Sequence, residues 1–313
     1  MDEHRDPGGR TMRRRTWTAT AVAAACVVAV GVGVAVTVGN APDAPDPTRA
    51  SAAEPTRTPT PTPTPAAVPA APSQATLARL PLAYHDAVVP QLLDGSRVHP
   101  QDTWQIATPT APLVALYASP RADAPPVATL SHLVSTIDRP AATAVWGRSP
   151  GADGGMLLVS TPARNRTPGG VGDQAPSATF AWARAADFTV ADVDRAIRVD
   201  VATSTVSVVD RAGRTLASER ARLGTPDDPT PSDTATYVEA SYVDTRVTYT
   251  EGNPIILTGA HSPSIPSYGG NAALTAFHYY PDPTGSSHGC VRISAEMTRT
   301  LAALPVGTAI RFV

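Results

Sequence analysis

Cysteine is nearly absent from this 313-residue chain, which has only Cys26 and Cys290. Cys26 lies inside an apolar N-terminal stretch, so the two are not expected to form a disulfide, and a disulfide framework is excluded. Lysine is missing altogether: all 25 basic residues are arginine, a pattern read as a GC-rich coding bias and not as an arginine-specific function. Aromatic residues make up 5% of the chain, and with 33 prolines they argue against a large helical core. The formal net charge of −2 gives no basic surface for nucleic acid, so nucleic-acid binding is not expected.

What is present is strongly segmented. Residues 1–16 carry Arg10, Arg13, Arg14 and Arg15 and precede an uncharged apolar run over 17–38. A helix needs about 20 apolar residues to cross a bilayer, and positive charge on the leading flank keeps that side in the cytoplasm. The expectation is a single-pass signal anchor in the cell membrane, with the remainder outside. A cleaved signal peptide and a lipidated Cys26 after Ala23-Ala24-Ala25 fit less well, because the run is long and continues past the cysteine. Residues 39–74 are rich in Pro, Thr and Ala, including Thr58-Pro59-Thr60-Pro61-Thr62-Pro63-Thr64-Pro65. Proline fixes φ and removes donors, so this segment reads as an extended tether with a reach on the order of 100 Å.

Two β-rich domains are expected next, over 75–189 and 190–313. Residues 75–93 read as partly helical, interrupted by Pro81 and Pro90. Short strands follow around 113–117, 142–146, 156–159 and 179–182, separated by turn residues. Phe180 to Phe188 resembles the closing strand of SH3-like modules, and Arg164-Asn165-Arg166 stands where such modules carry an Arg-Pro-Asn turn. In the last part, 197–201 and 205–209 alternate apolar and polar residues, and Asp210-Arg211-Ala212-Gly213 then makes a hairpin turn. Further strands are expected at 237–243, 246–250, 255–257 and 274–277. Ser294 reads as the N-cap of a helix over 295–303, followed by a final strand. With this pattern closing on itself, residues 190–313 are expected to fold and react alone.

Cys290 lies in Ser287-His288-Gly289-Cys290-Val291-Arg292. A lone exported thiol is prone to oxidation, so catalysis is a better reason for it than packing. A thiol with a pKa near 8.5 needs a neighbouring base to attack a carbonyl. Three histidines compete for that role. His278 ends an apolar strand, Leu274-Thr275-Ala276-Phe277, and is the preferred base. His261, in Gly259-Ala260-His261-Ser262-Pro263, is the rival. His288 sits too close to Cys290 in sequence to serve as the base. A metal site from His261, His278, His288 and Cys290 lacks a second cysteine or a nearby acid, so no metal and no cofactor are expected.

These strings resemble the L,D-transpeptidase catalytic domain family over about residues 197–313. The shared features are the opening strand pair, Pro229-Thr230-Pro231, Ala260-His261-Ser262-Pro263, Ala276-Phe277-His278, the cysteine motif, and the final helix and strand. The resemblance implies a mainly β fold, an L,D-transpeptidase-like β-sandwich with one late helix. It also implies peptidoglycan stem peptides as substrates and an acyl-enzyme on Cys290. By the same resemblance His278 is the base and a carbonyl at Tyr279 orients its second nitrogen. The backbone of His288, Gly289 and Cys290 supplies the oxyanion hole, while His261, Ser287, Arg292 and Tyr280 shape the substrate pocket. Tyr279-Tyr280, a short loop before Cys290 and Ser232-Asp233 depart from the family pattern. An L,D-carboxypeptidase using water, and an inert wall-binding protein, are the other readings. The oligomeric state is left open.

Overall fold

The computed structural model describes residues 65–269, 271–282 and 284–313. The expected cytoplasmic tail, anchor and most of the tether lie outside them. Among the described residues no helix is long and apolar enough to cross a membrane.

Two eight-stranded sheets dominate. The first runs, in spatial order, Phe188–Asp192, Gln105–Pro109, Thr143–Ser149, Met156–Thr161, Thr179–Arg184, Leu113–Tyr117 and Pro126–Ser131, with Leu93–Asp94 also paired to Thr179–Arg184. All its pairings are antiparallel. The helix expected over 75–93 is a single turn, Gln74–Leu77, capped by Ser73. Pro81 cannot donate to a continuing helix and disfavours helical φ/ψ at the residue before it, so the turn ends there.

The second sheet runs Thr215–Arg220, Thr205–Asp210, Arg195–Asp200, Ala309–Phe312, then β1 (Thr234–Tyr242), β2 (Ile255–His261), β3 (Leu274–Tyr279) and β4 (Val291–Ile293). β1 belongs to both halves. Thr234–Tyr237 pair with Ala309–Phe312, whereas Val238–Tyr242 pair with β2 after a register break between Val238 and Ala240. A break of this kind bends a strand, letting one sheet fold back on itself. Ile197, Val206 and Phe312 from one half then share a core with Ile256, Phe277 and Val291 from the other. Phe277 and Phe312 stack with ring centroids 6.3 Å apart. Helix α1 (Ala295–Ala302) closes this core with Met297 and Leu301, and Ser294 Oγ accepts the Met297 N–H as foreseen.

The strand expected at 246–250 does not form. Asp244 takes the Arg246 N–H and its guanidinium, and Thr248–Thr250 then make a 3₁₀ turn. Such a side-chain bond to the backbone competes with the sheet ladder.

The described residues belong to one compact unit, and the two sheets share a buried cluster. Trp146, Leu158 and Phe180 of the first sheet, with the adjoining Ala178, pack with Ala235 and Tyr237 of β1. Tyr237 lies so close to β2 that a Cβ on Gly259 would stand 2.2 Å from its ring. Polar bonds reinforce the seam: Arg311 Nε donates to Asp102 at 2.8 Å, and its guanidinium lies 5.0 Å over the Trp146 ring. The expectation that 190–313 is self-sufficient therefore meets a core that is not divided at residue 190.

Candidate active site

Cys290 stands at the entrance to β4, and local hydrogen bonds set its approach. Ser287 is buried; its Oγ accepts the Gly289 N–H at 3.1 Å and donates to the Cys290 carbonyl. Gly289 has φ +102°, a conformation that only glycine adopts at no steric cost. The Tyr268 hydroxyl, from the hairpin Ser267–Tyr268/Asn271–Ala272, donates to the His288 carbonyl. Cys290 is partly buried, with Sγ 3.8 Å from the Leu274 carbonyl on β3.

β4 runs parallel to β3 with His278 opposite Arg292, so the register brings Cys290 beside Ala276, two residues before His278 on the neighbouring strand. Both line a cavity of about 420 Å³, within the usual size range for small-ligand sites. His278 Nδ1 donates to the Tyr279 carbonyl at 2.9 Å. That bond puts the ring proton on Nδ1 and leaves Nε2 with a free lone pair. Tyr249 packs 5.3 Å from the imidazole, and Tyr280 joins the same cluster, 5.5 Å from Tyr249 and 6.5 Å from His278.

Burial controls both ionisations. It raises the Cys290 thiol above its ordinary 9.0, against the opposing pull of the Ala276 N–H and the Arg292 charge. Burial also lowers His278 below 6.5; the Tyr279 carbonyl counters this, and Arg292 and Arg222 add to it. At neutral pH the pair is accordingly a neutral thiol beside a neutral imidazole, not a thiolate–imidazolium pair. The base works only when unprotonated. Acylation of Cys290 should therefore rise through a midpoint below pH 6.5 and reach its plateau by neutrality. A pH series of acyl-enzyme formation rates checks this. An acid limb centred above pH 7 would mean that thiol ionisation, and not His278, sets the rate.

The remaining candidates separate into two groups. Arg292 makes no ion pair among the described residues. It donates to the Ser286 carbonyl at 2.7 Å and lies 4.1 Å over the Tyr280 ring. Arg222 donates to the carbonyls of Tyr280 and Thr284, so the two arginines fasten the loop between His278 and Cys290. His288 is exposed, 3.8 Å from Asp228. His261 does not line the cavity. It is buried, its Nε2–H donates to the His85 carbonyl at 2.8 Å, and burial with the nearby Arg164 charge lowers its pKa to about 3. A neutral imidazole bound in this way is a structural tie between β2 and the preceding unit.

Several cavity residues were missed in the sequence: Tyr249, Tyr268, His85 and Asp86. Only Tyr268 carried a local signal, the adjacent Gly269-Gly270 that marks a turn. The others arrive by tertiary packing from segments with no motif of their own.

A cysteine at a strand entrance, with an imidazole fixed by its own neighbour's carbonyl in a shared cavity, is the pairing of side chains that cysteine acyl transfer requires. Residues 194–311 match the YkuD family model, the L,D-transpeptidase catalytic domain. Solved structures similar to the chain include Bdellovibrio bacteriovorus Bd1075, at 20% identity and TM-score 0.31, covering 38% of this chain and 48% of that one. An Enterococcus faecium L,D-transpeptidase mutant matches at 20% identity and TM-score 0.28, covering 40% and 53%. An L,D-transpeptidase from Mycobacterium smegmatis matches at 16% identity and TM-score 0.29, covering 50% and 90%. The match thus spans about half the length of the first two. Comparison with curated protein sequences gives no match.

Proposed function

We propose that this protein is an L,D-transpeptidase that joins peptidoglycan stem peptides through an acyl-enzyme on Cys290. The observation that carries the reading is the free Nε2 of His278 in the cavity that also holds Cys290. His278 Nε2 takes the thiol proton as Sγ attacks the amide carbonyl that follows an L-centre in the donor stem. The backbone around His288, Gly289 and Cys290 receives the oxyanion, with the Gly289 N–H shared with Ser287 Oγ. Collapse breaks the C–N bond, and His278 returns its proton to the leaving amine, which leaves a thioester. An acceptor amine then attacks that thioester. Its proton passes to His278 and on to the departing sulfur, which regenerates the thiol.

Intact-mass measurement of the full chain with a carbapenem tests the reading. A single adduct that is absent from Cys290→Ala is the expected result, and no adduct on the wild-type chain would overturn it. With stem peptides as substrate, cross-linked dimers are the expected product; trimmed monomers alone would instead make the enzyme an L,D-carboxypeptidase. The apolar run over 17–38 and the Pro/Thr tether would hold the catalytic unit outside the cell membrane. The SH3-like resemblance of 75–189 fits a wall-facing module.

A further inference from the structure

The cavity around Cys290 is not walled by the family-matched residues alone. His85 and Asp86, from the segment ahead of the first sheet, line it together with His278 and Cys290. Three contacts hold that segment in place. His85 Nδ1 meets the buried Glu239 carboxylate at 3.2 Å. The His85 carbonyl accepts from His261, and Asp86 Oδ1 accepts the Ala272 N–H at 2.7 Å. The wall is preorganised by bonds that the substrate does not have to make.

The charges facing this cavity pair off with one remainder. Asp244 binds the Arg246 guanidinium through both oxygens, at 2.9 and 2.8 Å. His85 is engaged from behind the wall by the buried Glu239, which does not line the cavity. His278 and Cys290 are both neutral at neutral pH for the reasons given above. For Asp86, the nearest cationic group among the described residues is His85 Nε2, 3.9 Å from Oδ2, and His85 already serves Glu239. The Asp86 side chain keeps 28% of its surface exposed. One carboxylate oxygen thus remains without a close partner in the wall of the nucleophile's cavity.

We infer that Asp86 is a subsite for the ammonium group of the acyl acceptor, supplied by the unit outside the matched domain. This rests on the transfer reaction proposed above, which requires an amine as its second substrate. An ammonium donates charge-assisted hydrogen bonds to a carboxylate, and a fixed partner gives such bonds their specificity. The subsite is a binding element. The ammonium still gives one proton to solvent before the amine attacks the thioester, and the remaining proton transfers through His278 are unchanged.

The test is a titration of the full chain with an N-terminally blocked stem tripeptide ending in a diamino acid. Its analogue with the side-chain ammonium acetylated is titrated alongside. In the wild-type chain acetylation should weaken binding about tenfold, the scale of one charge-assisted bond. Asp86→Asn keeps an oxygen for the Ala272 N–H, and there the two peptides should bind within about twofold of each other. An equal acetylation penalty in both chains would overturn the inference, as would a merely structural role, which weakens both peptides alike. A second measurement needs no variant. Raising salt from about 0.05 to about 0.5 M should weaken the ammonium peptide and spare the acetylated one; equal salt responses would also overturn it. Carbapenem acylation, measured in parallel, reports separately on the proposed function. Loss of that adduct from the wild-type chain sinks the function and leaves the binding comparison readable.

Discussion

Replacing Cys290 with alanine is expected to eliminate acyl-enzyme formation while leaving the fold intact. No other thiol exists among the described residues, and the Sγ contact to the Leu274 carbonyl is a weak one at 3.8 Å. His278→Ala should retain the nucleophile yet slow acylation by roughly 10²–10⁴-fold, the range for loss of a general acid–base group. His261→Ala should behave differently. Its imidazole is buried and binds the His85 carbonyl, so this substitution should lower thermal stability more than it lowers the rate per folded molecule. Circular dichroism melts beside acylation rates distinguish the two histidines. A fast His278→Ala with an inert, fully folded His261→Ala would reverse their roles.

The second large effect concerns the unit ahead of residue 190. A fragment starting at Thr189 should fail to fold cooperatively or to acylate, because removing the first sheet uncovers the cluster around Tyr237. An aromatic ring of that size buries on the order of 150–250 Å², worth about 4–6 kcal/mol at 25 cal/mol per Å². Glu239 would lose His85, and His261 would lose its carbonyl acceptor. Domain stabilities are only about 5–15 kcal/mol, so these losses together exhaust the margin. The hairpin beside Cys290 would also lose its external supports. Arg164 is buried and donates to the Ile265 carbonyl at 2.9 Å, and Ala175 donates to Pro263 at 2.8 Å. Differential scanning calorimetry of the fragment checks the point: a sharp transition near that of the full chain, with carbapenem acylation retained, would show the catalytic sheet to be autonomous after all.

The geometry of the candidate site was legible in the sequence where it is local. Ser287 to Arg292 announce a turn, a cysteine and a strand within six residues, and Leu274 to His278 read directly as a strand carrying an imidazole near its end. The Ser294 cap and the helix after it were legible for the same reason, since a cap and a short apolar period suffice. Arg292 was harder, because its binding to the Ser286 carbonyl and the Tyr280 face depends on how the loop returns. His85 and Asp86 were out of reach. They precede Cys290 by some two hundred residues, and only the packing of one sheet against the other brings them to it. The strand expected at 246–250 failed because Asp244 offers the backbone a closer partner than a neighbouring strand would. Nothing in the strand pattern alone reveals that Tyr237 fills a core shared between sheets.

That shared core also bears on how such a chain is inherited. A recombination event that joined residues 194–311 to a different upstream partner would carry Cys290 and His278 across intact. It would leave behind Asp86, His85 and Arg164, which are bonded to the transplanted residues across the seam. On the proposed reading, the unit that must be inherited together is longer than the family-matched stretch, because upstream side chains are bonded to the residues around the cavity the reaction would use.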